Sequence, residues 1–477
     1  QDENKVTALS GVPHYVYDDS AGYDGAYYVQ LALHPTLENP ELEKAIDNLP
    51  YRARRMLFCW VAWLLGLGQP GWIVQAHALL NVLCWFALGV VLLRWFPPTG
   101  PQNFIRWFAL MFSQGVCMSV RNSLVDLPSL LLVALAVRWV EGGSRWRGGV
   151  LLAFAGLGKE TSLLAAGALA DGAAWRSPRA WVRFGGIAAL IAMPLLAWMG
   201  YIHWKFGAAG DRGLGNFTLP LAGVAEKWAM VAADLADYPF RDISLITAAA
   251  TLAITVQFLF LVSRWRPRET WWRIGVAFAG LMGFLATPVW EGYPGAFSRV
   301  LLPMTLAFNV LVPPGRRWLP ILLAGNLTVL AAWGEFSPPI EDFLRLKVGP
   351  ELITQVEVTP LAGWHRPENY RSDRWRWTSG EATLRVHNAS GGPLTLLLRG
   401  RISALDQQAV QIFDGGTIAW AGETRAEPAL FEINRVLPVG DTALRFVGSR
   451  PARRVTDDPR MLALCVFNLE MEVTRPP

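Results

Sequence analysis

Long apolar runs near residues 71–95, 182–203, 243–263, 272–288, 297–312 and 318–334 alternate with polar connections, and shorter runs fall near 105–120, 125–140, 147–157 and 161–174. One helical crossing of a bilayer takes about 20 apolar residues. The long runs can span alone, whereas the short ones must be enclosed in a bundle. The pattern predicts about ten spans over residues 71–334. Residues 147–157 and 161–174 are read as two short helices meeting at a Gly158-Lys159-Glu160-Thr161 turn, because one span through 148–174 would invert every later connection. A helix of that length rises about 16 Å. The turn is therefore expected below the outer surface, with Lys159 and Glu160 facing a water-filled cavity. Met56 to Gly68 is apolar but too short to cross, and Pro70-Gly71 breaks it from the next run. It reads as an interfacial or re-entrant helix that leaves residues 1–70 as an outer first loop.

After Trp333 the period changes. From about residue 370, short alternating runs are separated by Gly, Asn, Asp and Pro: Ala382–Val386, Leu394–Leu398, Val410–Phe413, Thr417–Trp420, Ala443–Val447 and Leu462–Val473. These predict a β-sandwich or jelly roll over 370–477, with 335–369 as a connector. The expected fold is an α-helical polytopic membrane bundle followed by an all-β domain.

Composition and charge orient this picture. At 52% hydrophobic and 17% charged residues, the chain is more apolar than soluble proteins, in which about a quarter of residues are charged. Arginines gather beside the apolar runs rather than in one basic groove, which argues against a nucleic-acid partner. One set of alternate connections holds fourteen Lys and Arg and the other seven. The richer set is cytoplasmic by the positive-inside rule, which places the poorer set, the first loop and the β domain outside. Cys59, Cys84, Cys117 and Cys465 are isolated and define neither a disulfide framework nor a zinc site. Gln1 opens a polar stretch, and a signal peptide or first membrane helix upstream is left open.

The densest polar cluster runs from His14 through Asp18, Asp19, Tyr23, Asp24, Tyr27 and Tyr28 to His34. Tyr23-Asp24-Gly25-Ala26-Tyr27-Tyr28, with Tyr51-Arg52-Ala53-Arg54-Arg55 ahead of the first full span, resembles the first outer loop of bacterial GT-C-type membrane glycosyltransferases. Asp126-Leu127-Pro128, the Lys159-Glu160-Thr161 turn, and Phe297-Ser298-Arg299 followed by Leu302-Pro303 add to the resemblance, which covers roughly residues 11–334. It implies a polyprenyl-phosphate sugar donor, a glycan or protein acceptor, and an inverting transfer at the outer face of a bacterial inner membrane, among membrane lipids. It puts Asp24 in the role of catalytic base.

That role suits a carboxylate beside Gly25, where backbone can approach a ligand, and among Tyr23, Tyr27 and Tyr28, which can stack on sugar rings. The plainer reading is a carboxylate capping a helix that starts near Ala26. Lys159, Arg299 and Arg121 are the outward cations expected to hold the lipid phosphate; as structural ion pairs they would face Glu160, Glu291 and Asp126 respectively. Asp126, Glu160 and Glu291 are expected to support the substrate or its arginines, and Asp126 also suits a helix N-cap. His14, Asp18, Asp19 and Asp24 offer hard oxygens for Mg²⁺ or Mn²⁺, but lack Asp-x-Asp spacing, so no metal or cofactor is expected. Trp364, Trp375, Trp377 and Trp420 suit either a carbohydrate platform or a sandwich core. Two other classes remain as alternatives: a transporter or flippase, and a non-catalytic assembly component whose β domain binds glycan.

Overall fold

A computed structural model describes residues 5–9, 12, 23–172, 177–207, 213–237, 239, 242–291, 296–336, 343–349, 351–352, 355–370, 373–425, 427–455 and 458–476. They fall into a helical unit running to residue 337 and a β unit from residue 338.

In the helical unit, Pro70–Leu92, Pro178–Phe206 and Ile243–Val262 are long and apolar enough to cross a membrane, with 23, 29 and 20 residues. Their outward faces carry Leu79, Leu83, Phe86 and Val90 on the first, Val182, Leu190, Met193 and Leu196 on the second, and Leu252, Leu259 and Val262 on the third. Such exposed apolar stripes suit a hydrocarbon surround better than water. A fourth candidate, Arg316–Ala324 with Thr328–Phe336, is bent by 40° where Gly325 rests on the Phe308 ring. The run expected over 297–312 divides into Ala296–Val300 and Leu302–Leu311. Pro303 cannot continue a preceding helix and instead sits in the first turn of a new one. The run over 272–288 forms the 15-residue helix Thr270–Phe284. Among the described residues, fewer helices reach crossing length than the sequence pattern predicts.

Helix Arg145–Gly158 ends at Lys159, which is extended (φ −157°, ψ 119°), and a tight 3₁₀ helix, Glu160–Leu169, follows. Leu163 of the second segment packs against Gly156 of the first, so the two fold back on each other. Leu57–Leu65 has nine residues and turns at Gly66–Gly68 into Pro70–Leu92. Arginines close the helix ends remote from Lys159. Arg106 donates to the carbonyls of Asn309 (3.1 Å) and Val312 (2.7 Å), and Arg273 to those of Gly167 (2.8 Å) and Ala168 (3.0 Å). These carbonyls lie at or next to helix C-termini, where intrahelical donors run short and cations meet the negative end of the helix dipole.

Among the described residues the β unit has thirteen strands: β1 Leu344–Val348, β2 Val356–Pro360, β3 Trp364–Tyr370, β4 Asp373–Thr378, β5 Ala382–Asn388, β6 Leu394–Ala404, β7 Gln408–Asp414, β8 Thr417–Thr424, β9 Ala429–Leu437, β10 Gly440–Gly448, β11 Arg453–Val455, β12 Asp458–Leu462 and β13 Leu464–Thr474. One sheet runs β3-β4-β13-β6-β9 with β1 also on β13; the other runs β2-β5-β10-β7-β8. Along β5, Ala382, Leu384 and Val386 face in and Thr383, Arg385 and His387 face out. Inward residues of both sheets, among them Leu398, Ile412, Phe431 and Phe446, share one core, as in a sandwich. The stretch expected as a connector over 335–369 instead carries β1 to β3, and Phe343 is already core. Its prolines and charges obscured a period-two pattern. Trp364 packs on Phe343 and Phe446, and Trp420 on Phe431, so these two belong to the sandwich interior rather than to one carbohydrate-binding face.

β13 exchanges neighbours partway along its length. Cys465–Phe467 pairs antiparallel with β4, whereas Leu469–Val473 pairs parallel with β1. Asn468 lies between them at φ 45°, and its side chain bonds Asp373 and the Arg374 amide. An asparagine tolerates this left-handed geometry better than most residues.

Candidate active site

Asp24 is the first residue of helix Asp24–Leu33; Tyr23 precedes it in extended conformation and makes no side-chain cap. The helix thus starts two residues before the expected position, and Asp24 is no cap. Its carboxylate instead lies at the positive end of the helix dipole. A Cβ on Gly25 would fall 1.9 Å from the Asn122 carbonyl oxygen. Gly25 therefore serves close packing against the end of helix Gln114–Arg121, not the approach of a ligand. Asp126 likewise opens its helix, Asp126–Glu141, behind an uncapped Val125, which corrects its N-cap reading.

These two carboxylates converge on one arginine. Arg299 Nη1 donates to Asp126 Oδ2 at 2.9 Å and lies 4.0 Å from Asp24 Oδ2. Its guanidinium covers the Tyr23 ring at 5.2 Å. Asp126 Oδ1 holds Lys159 Nζ, and both side chains are nearly inaccessible, at 3% and 8% exposure. Lys159 therefore does not face open water. A cation so desolvated requires a counter-charge, and Asp126 supplies it.

A second arginine fixes the opposite oxygen of Asp24. Arg52 Nη1 is 2.8 Å from Asp24 Oδ1, while its Nε and Nη2 grip Asp47 at 3.0 and 2.8 Å. The guanidinium also lies over the Tyr27 ring at 5.0 Å. Burial works against ionisation of Asp47, yet hydrogen bonding and charge from Arg52 hold its carboxyl below the ordinary value. Arg55 binds Glu160 through two hydrogen bonds of 2.8 and 2.9 Å, and donates to the hydroxyls of Tyr28 and Tyr51 at 3.2 Å each. Burial pushes the Tyr28 hydroxyl up to about 12, so it stays protonated.

Asp24, Asp126, Lys159, Arg299 and Tyr23 thus meet directly, with Tyr27 joined through Arg52, and Tyr28 and Glu160 through Arg55. Arg121 does not pair with Asp126; it bonds the Gly334 carbonyl at 2.8 Å and lies 4.0 Å from Glu335, an acid close enough to Arg299 and Tyr23 to interact with both. Glu291 pairs with Lys227 at 2.6 Å rather than with Arg299. His14, Asp18 and Asp19 lie outside the described residues. Arg52, Arg55 and Asp47 received no role from the sequence. The three-residue spacing of Arg52 and Arg55 on one helical stretch was the available signal.

Chemically, Asp24 is the accessible member, its side chain 22% exposed. Arg52 fixes Oδ1, and Oδ2 is too far from Arg299 for a hydrogen bond, which leaves lone pairs to accept a proton. Arg299 Nε has no hydrogen-bond partner among the described residues, and an ammonium such as Lys159 carries three donors. Arg299, its side chain 11% exposed, is the more accessible of the two cations.

No protein-family model matches the chain, and no curated protein matches it. Among solved structures, arabinosyltransferase EmbB from Mycobacterium smegmatis is similar over 94% of this chain at 12% identity and a TM-score of 0.35. The chain spans 62% of that protein's length. At that TM-score no residue role passes from one chain to the other.

Proposed function

We propose that the chain is a multi-pass membrane glycosyltransferase that moves a sugar from a polyprenyl-phosphate donor to a glycan or protein acceptor at the outer face of a bacterial inner membrane. The observation that carries this reading is the half-buried Asp24 within 4.0 Å of Arg299, with Lys159 joined to that arginine through Asp126. Asp24 Oδ2 takes the proton of an acceptor hydroxyl as that oxygen bonds the anomeric carbon. The bond from that carbon to the phosphate oxygen breaks, and its electron pair leaves with the lipid phosphate. Arg299 and Lys159 meet the charge that develops there, and direct displacement inverts the anomeric centre. Tyr23 and Tyr27 flank the sugar. Asp126 and Glu160 hold the cations in place, and Glu291, paired with Lys227, takes no part. The orientation draws support from helix polarity: Asp126–Glu141 begins at the carboxylate cluster and runs to Arg138, and Arg145–Gly158 returns from an arginine to Lys159.

The test is sugar transfer by membranes containing matched amounts of wild type or Asp24→Asn, supplied with polyprenyl-phosphate sugars. Loss of a general base predicts a fall of about a hundredfold or more. Undiminished transfer by the variant rejects Asp24 as the base, and no transfer by wild type rejects the enzyme.

A further inference from the structure

We infer that Glu335 is a sugar-selecting residue of the Asp24 site, its carboxylate accepting hydrogen bonds from hydroxyls of a sugar bound beside Tyr23, a role that presupposes the transfer proposed above. Glu335 lies in the 3₁₀ turn Trp333–Phe336, which ends the bent helix pair. Trp333 and Phe336 on that turn are exposed, whereas the Glu335 side chain turns inward and is 6% exposed. A carboxylate that needed only water had outward positions within one residue or two. Inside, Arg121 Nη1 stands 4.0 Å away, beyond hydrogen-bond reach, and donates to the Gly334 carbonyl at 2.8 Å. Among the described residues no donor bonds the Glu335 carboxylate. Buried polar groups are ordinarily hydrogen-bonded, and an ionised carboxylate has about four acceptor sites. Arg121 meets the charge of Glu335, and those acceptor sites are left for a bound molecule.

Its neighbours identify that molecule. Glu335 is close enough to Arg299 and to Tyr23 to interact with both, and Arg299 covers the Tyr23 ring at 5.2 Å. Tyr23 also lies within reach of the Asp24 charge. Two carboxylates thus act on one phenol ring. Arg52 fixes one oxygen of Asp24 at 2.8 Å, whereas Glu335 has both oxygens uncommitted. A phosphate brings only negative oxygens, which a second carboxylate repels. A sugar ring lying on Tyr23 brings hydroxyl donors on its rim, which a buried carboxylate accepts with more than ordinary strength. Uncharged hydroxyls, not the phosphate, are therefore what Glu335 holds.

Membranes holding matched amounts of wild type, E335A or E335Q would be given polyprenyl-phosphate sugars and glycoside acceptors, each as the parent and as analogues lacking one hydroxyl. Wild type is expected to use one such analogue about tenfold or more less efficiently than its parent, because the analogue strands a buried carboxylate. E335A should use the parent as poorly as wild type uses that analogue, and should lose nothing further with the analogue. E335Q keeps the shape and one neutral acceptor, so it should narrow the preference without abolishing it; it carries the comparison if E335A does not fold. The series in which the preference disappears, donor or acceptor, tells which sugar Glu335 holds. A preference unchanged in the folded variants, or a wild type indifferent to every hydroxyl, would overturn the role of Glu335 and leave sugar transfer standing. No transfer by wild type would overturn both.

Discussion

Asp126 neutralises two cations at once, which determines what its loss would do. Replacing it with alanine leaves Lys159 and Arg299 buried without that carboxylate, and breaking a buried pair from one side costs on the order of 3–5 kcal/mol. We expect Asp126→Ala to lower the unfolding midpoint of the solubilised protein markedly. The double variant D126L/K159M, which removes one stranded charge with its partner, should recover part of the loss. Unchanged unfolding of Asp126→Ala would show that the ion chain does not hold the fold. The sequence made Asp126, Lys159 and Arg299 conspicuous as charges beside apolar runs, but it could not pair them. Asp126 and Arg299 are separated by 173 positions, and sequence neighbours such as Lys159 and Glu160 pointed to local pairs that the fold does not make.

Two glycines let helices approach closely enough to assemble the site. Gly25 admits the Asn122 carbonyl, and Gly158 admits the Phe58 ring and Ser129 Oγ, bringing the end of Arg145–Gly158 against the start of Asp126–Glu141. At Gly25 the obstacle is backbone, which cannot swing aside. Gly25→Ala is expected to cost about 1–3 kcal/mol and to displace Asp24, so that transfer falls even in folded protein; thermal unfolding and transfer assays on one preparation check both. A variant equal to wild type in both assays would mean that the helix start adjusts freely. The apolar runs that form these elements were evident in the sequence. Where the runs break was less so, because Pro303 and Gly325 act through backbone and packing rather than through hydrophobicity.

The helical unit and the sandwich each have their own core, so the β unit should fold by itself. Residues 338–477 expressed alone are expected to unfold in one cooperative transition, with Phe446→Ala costing about 3–5 kcal/mol; a fragment lacking such a transition would tie the sandwich to the helices. β5 to β8, β10 and β13 were legible from their period, whereas β9 was not singled out. The four strands before residue 382 were not singled out either: β3 contains Pro367 amid charges, and β1 finds its partner only in β13, more than a hundred residues later. That pairing has a consequence for biogenesis. β13 stands between β6 on one side and β4 and β1 on the other, yet it is synthesised after all of them. On a chain emerging from its N-terminal side, the first sheet would wait with its middle vacant and three strands lacking a neighbour until β13 arrives. Unpaired edges of this kind invite aggregation, so this interval is when the nascent sandwich most needs a holding chaperone.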